Sequence, residues 1–73
     1  GKAEALAFRI NERTDVVGVP FEKMSLKKNL LICCIIRGSK IITPRGKDMI
    51  LVGDTVIVVT TNQGLNDIHD IMA

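Results

Sequence analysis

Residues 35–59, IIRGSKIITPRGKDMILVGDTVIVV, decide the fold. Their apolar positions are mostly Ile and Val, and the runs are broken by Gly38, Pro44, Gly46 and Gly53, the punctuation of short strands and tight turns. The arms on either side of Gly38-Ser39 read as a hairpin, because a two-residue turn with Gly first matches the twist of paired strands. LLICCIIR (30–37) extends the first arm to seven apolar residues in a row, and KIIT (40–43) is the return. PRGKD (44–48) then forms a loop, MIL (49–51) a short strand, and Val52-Gly53-Asp54 a tight turn into TVIVVTT (55–61), a last strand rich in β-branched residues. In that turn glycine admits a positive φ, and aspartate can bind nearby backbone amides.

Working outward, residues 4–10 alternate, with Leu6, Phe8 and Ile10 on one side and Ala5, Ala7 and Arg9 on the other, as in a strand with one apolar face. VVGVPFEKMSL (16–26) reads as an extended entry, with Val19 held out of the helical region by the proline after it, and then a short helix with Pro20 near its first turn. Leu65, Ile68, Ile71 and Met72 recur at helical spacing and predict a second short helix packed on one face. The expectation is a single α+β domain over residues 1–73, a small and mainly antiparallel sheet with two short helices.

At 73 residues a chain buries only about 60% of its unfolded surface, so its core is thin and chains of this size commonly lean on disulfides, a metal or association. Cys33 and Cys34 are adjacent, which on a regular strand places their thiols on opposite faces, and they read as small buried hydrophobes. One histidine and no Cys-x-x-Cys pair give no zinc spacing, and no metal site is expected. No apolar run reaches the ~18 residues of a membrane span, and a cytoplasmic setting is expected. The run 30–36 and the stretch 56–59 are apolar on both faces, more than two short helices can cover. The sheet therefore needs a second copy of the chain across a two-fold axis, or closure into a barrel.

His69 stands between Asp67 and Asp70 without a nucleophile at triad spacing, and there is no glycine-rich phosphate loop, so an enzyme is not expected. Charge is more informative. Arg37, Lys40, Arg45 and Lys47 fall within residues 37–47 with no acid among them, although the chain carries only +2, so the remainder sums to −2. Such a cluster suits an anion. Single-stranded nucleic acid would also ask for aromatic platforms, and Phe8 and Phe21, both placed as core residues, are the only aromatics. A small phosphate-bearing ligand needs a few basic donors and an apolar floor, which Ile41, Ile42 and Pro44 can supply.

The order of VVGVPFEKMSL, LLICCIIRGSKIITPRG and MILVGDTVIVVTT resembles the C-terminal lobe of regulator-of-potassium-conductance domains, known as the TrkA C-terminal domain. The resemblance covers residues 4–62. It implies a regulatory, non-enzymatic, dimerising lobe that follows an N-terminal Rossmann lobe in the gating subunit of a Trk-type potassium uptake system, acting on a membrane-embedded transporter partner. The Gly-x-Gly-x-x-Gly fingerprint is missing from these residues, so the chain is expected to be one piece of a longer protein, with NAD or ATP held by the missing lobe and no cofactor here. Some relatives bind cyclic di-AMP at the two-fold interface. Carried over by position, Arg37 would face a phosphate, Ile42 and Pro44 would contact adenine, Leu31 would lie in the apolar wall, and Thr43 stands beside the proline. Arg45 and Lys47 join this set on charge alone. The alternatives are a purely structural dimerisation lobe and the regulatory lobe of another cation transporter.

Overall fold

The computed structural model describes residues 2–73. β1 (Glu4–Arg9), β2 (Leu30–Arg37), β3 (Lys40–Ile42) and β4 (Thr55–Thr60) form one antiparallel sheet in the order β1-β4-β2-β3. The hairpin turns where expected: Arg37 pairs with Lys40 and Gly38 has φ 60°. With β1 and β3 at opposite ends the sheet is open, which overturns closure into a barrel.

The two expected helices are single 3₁₀ turns, Phe21–Lys23 and Ile68–Ile71. Ile68 and Ile71 are three residues apart, the 3₁₀ period, so both reach the core while the turn stays short; Leu65 packs on that core from the irregular segment before it. At Asp67 a reciprocal capping box with Asp70 starts the second turn, and by Met72 the backbone is extended again and bridged to Leu26. Residues 49–51 form no strand either: Ile50 makes one parallel bridge to Val17, and Leu51 already belongs to the Asp54 turn.

One face of the sheet holds the core. Ile32, Ile35, Val56 and Val58 are buried against Ile10, Val16, Val17, Ile50, Ile68 and Ile71, contributed by the loops and the second 3₁₀ turn. β2 manages this with a bulge. Ile32 pairs with Val58 and Cys34 with the next residue, Ile57, so Cys33 is extra. The expected split of the two thiols across the sheet therefore fails: Cys33 is exposed, and the pKa of Cys34 is raised first by desolvation and then by this neighbour.

The other face is bare. Leu31 pairs with Val59, Cys34 with Ile57 and Ile36 with Ile41, all pointing away from the core, and Leu31 and Ile41 remain 64% and 75% exposed.

Candidate functional site

β2 ends at Arg37, and the turn into β4 begins at Leu51. Between them the chain builds a polar centre. Asp54 is 1% exposed, yet its carboxylate is fully engaged: Arg37 donates from Nε to Oδ1 at 2.9 Å and from Nη2 to Oδ2 at 2.9 Å, and the Leu51 amide donates to Oδ2 at 2.9 Å. Arg37 Nη2 also donates to the Met49 carbonyl at 2.9 Å. Gly53, at φ 96°, carries the chain through the turn and gives its amide to the Ile10 carbonyl at 2.8 Å. Burial alone would raise the Asp54 pKa. The hydrogen bonds from Arg37 and Leu51, helped by the charges of Arg37 and Arg9, outweigh it and leave the carboxyl below its usual range, while the bond to Asp54 raises Arg37.

This arrangement changes the reading of the charge cluster. Arg37 is neutralised by Asp54, and three of its five N–H donors are spent within the chain, leaving the two on Nη1. The Arg45 amide is held by Asp48 Oδ2 at 2.7 Å, and the Asp48 amide returns to the Arg45 carbonyl at 2.9 Å, which closes residues 45–48 into a tight loop. Phe21 and Glu22 clamp that loop through amide bonds to the Asp48 and Gly46 carbonyls at 3.0 and 2.9 Å. Gly46 sits close under Glu22, since a Cβ there would lie 3.1 Å from Glu22 Oε2 and 3.2 Å from its Cβ, and the Glu22 side chain would have to shift.

Of the expected ligand residues, Leu31, Pro44 and Arg45 come together. They line a groove of about 260 Å³ with Phe21, Glu22 and Gly46 at the edge of the bare sheet face. Ile42 pairs with Ile35, packs half-buried against the core and does not line the groove. Thr43 is exposed between them, and Lys47 is exposed on the loop. Arg37 stands apart, six residues from Leu31 along one strand, or roughly 20 Å at about 3.3 Å per residue. The residues that sequence reasoning passed over are Phe21 and Glu22. Their signal was present in Gly46 and the Pro20-Phe21 turn, but only the amide bonds from Phe21 and Glu22 to the 45–48 loop reveal it.

His69 also has a partner that the sequence hid. Its Nδ1 lies 2.9 Å from Asp15 Oδ1, joining the last 3₁₀ turn to the loop after β1, and this contact raises the imidazole pKa. Among the described residues no group of three or more His, Cys, Asp or Glu is placed to hold a metal, and no helix is long and apolar enough to cross a membrane.

The chain is 31% identical over 71 residues to the Trk system potassium uptake protein TrkA homolog of Pyrococcus abyssi, covering 96% of this chain and 31% of that protein. It is 28% identical over 68 residues to the Trk system potassium uptake protein TrkA homolog 1 of Methanosarcina mazei, covering 93% of this chain and 15% of that one. It thus spans less than a third of either relative. Residues 5–73 match the family described as the TrkA-C domain, to which this chain belongs.

Proposed function

We propose that this chain is the regulatory lobe of a Trk-type potassium uptake protein, in which two copies meet through their bare sheet faces and a small anion, cyclic di-AMP foremost, binds beside that contact. The observation that carries the reading is the adjacency of two features. Leu31, 64% exposed on the uncovered face, is also a wall of the groove that holds Pro44 and Arg45. An occupant there would touch apolar surface, a cation and a neighbouring copy at once. Leu31, Ile42, Thr43, Pro44 and Arg45 form the ligand set, and Arg37 offers its two Nη1 hydrogens from a fixed guanidinium. The longer protein would act at the cytoplasmic side of a membrane-embedded transporter, with NAD or ATP bound by another lobe. Binding then regulates only through different affinities for two arrangements of the copies.

The test is a calorimetric titration with cyclic di-AMP of the chain, of Arg45→Glu and of Ile41→Lys. Saturation near about one nucleotide per two chains is the expected stoichiometry for a site on a two-fold axis. Arg45→Glu should lose the heat while still self-associating, whereas Ile41→Lys should lose both. Arg37→Ala is the wrong control, because it strands the buried Asp54.

A second reading has its own observation. With Arg37 spent on Asp54 and Met49, the lobe would serve pairing alone. It predicts self-association lost in Ile41→Lys and no heat from the nucleotide in any variant.

A further inference from the structure

The two edges of the sheet are unlike. β3 spans three residues, carries Lys40 and is followed two residues later by Pro44, all devices that discourage another strand from pairing. β1 has none of them. It runs six residues without proline or lysine, and its middle is Ala-Leu-Ala-Phe. Its inner side is fixed by the bond from the Ile10 amide to the Asp54 carbonyl at 2.8 Å, which continues the register in which Arg9 faces Thr55. By the alternation of an antiparallel ladder, Glu4, Leu6 and Phe8 also turn their amides and carbonyls toward β4. Ala5, Ala7 and Arg9 turn theirs outward. None of the three has a backbone partner outside the strand ladder among the described residues.

Beside this edge lies a groove of about 440 Å³ between β1 and the C-terminal segment. Phe8 and Ile68 form its apolar floor, and Phe8 is only half-buried. Glu12 and Asp67 stand on its rim. Of the two cationic candidates there, Arg9 and His69, the second is taken by Asp15. Arg9 also lines the groove, with Nη1 3.5 Å from Thr55 Oγ1, so among the described residues the lining holds two carboxylates against one free guanidinium.

We propose that the free edge of β1 and this groove together accept an extended peptide segment, added to the sheet as a fifth strand, with an apolar residue over Phe8 and basic residues facing Glu12 and Asp67. Main-chain bonds to Ala5, Ala7 and Arg9 supply the pairing, and the groove reads the alternate side chains. This surface is separate from the bare sheet face and from the Leu31–Arg45 groove.

The experiment is an NMR titration of the ¹⁵N-labelled chain with the capped peptide Lys-Lys-Val-Thr-Val-Lys-Lys. Three controls are the same peptide methylated at alternate backbone nitrogens, a version with Glu for Lys, and the variant Ala7→Pro. Saturable shifts of the Ala5, Ala7 and Arg9 amides are expected, with affinity falling at least about tenfold for the methylated and acidic peptides, as main-chain pairing beside an acidic rim requires. Because the Ala7 amide faces outward, proline there should leave the fold intact and still remove binding. Should Ala7→Pro not fold, the methylated peptide decides alone: loss of binding supports the proposal and equal binding overturns it. The proposal is also overturned by no saturation at about 10 mM peptide, a weak limit for strand addition. Concentration-dependent shifts of the same amides without peptide would overturn it too, by giving the edge to a second copy.

Discussion

Arg37 grips Asp54 with two parallel 2.9 Å bonds across 17 positions of sequence, tying the end of the hairpin strand to the turn that starts the central strand. The carboxylate is 1% exposed and the Arg37 side chain 37%, so the pair spans the boundary between core and solvent. Asp54→Ala leaves the guanidinium in partial contact with water but frees the Leu51 amide, and should cost about 3 kcal/mol; Arg37→Ala strands a buried carboxylate and should cost at least as much at neutral pH. Urea unfolding of both variants measures this. Near-neutral substitutions would mean that the pair is not closed in solution.

The same pair sets an acid limit. A carboxyl whose folded pKa lies below its unfolded value stabilises the fold above the ordinary carboxylate range, and that contribution is lost as pH falls through the folded pKa. Unfolding midpoints taken from pH 7 downward should therefore drop for the native chain, and part of that drop should be absent in Asp54→Asn.

His69 works in the opposite sense. Its pKa is raised by the hydrogen bond to Asp15 and by that residue's charge, so its stabilisation is complete below the usual imidazole value of 6.5 and fades as pH rises through the higher folded value. Both side chains are well exposed, and the effect is modest. An NMR titration of the ring should show the raised pKa in the native chain and its return toward 6.5 in Asp15→Asn.

Four of the five expected strands and the hairpin turn were legible because β-branched runs and a Gly-first turn are local signals, whereas residues 49–51 formed only the bridge at Ile50. Gly38, Gly53 and the alternation of residues 4–10 say directly what the backbone does. The helices were misjudged because spacings of three and four residues overlap over so short a span, and Ile68 with Ile71 satisfies either. Local reasoning had no access to the partners of Arg37 and His69, which lie 17 and 54 positions away. Charge counting over residues 37–47 missed that Asp54 answers Arg37.

Thr14 offers a cleaner stability test. Its Oγ1 is a buried side-chain oxygen without a hydrogen-bond partner among the described residues. Removing a polar atom that was desolvated for nothing, while keeping the shape, should stabilise the chain, so Thr14→Val is expected to raise unfolding free energy by about 1 kcal/mol. A loss of stability would show that the hydroxyl has a partner in solution.

The bulge at Cys33 makes the sharpest prediction about the sheet. Ile32 and Ile35 are three residues apart yet both enter the core, because the extra residue absorbs the offset between them. Deleting Cys33 joins the pairs Ile32–Val58 and Cys34–Ile57 into a regular ladder, and every side chain keeps its face. That deletion should cost no more than about 1 kcal/mol, the scale of an ordinary single change. Deleting Ile57 from the unbulged central strand is different, because a one-residue slip there turns Val56 or Val58 from the core to the bare face. Circular dichroism and urea unfolding of the two deletions should find the first folded and the second not, and an unfolded Cys33 deletion would mean that the bulge itself, through the twist it gives β2, is needed to close the core.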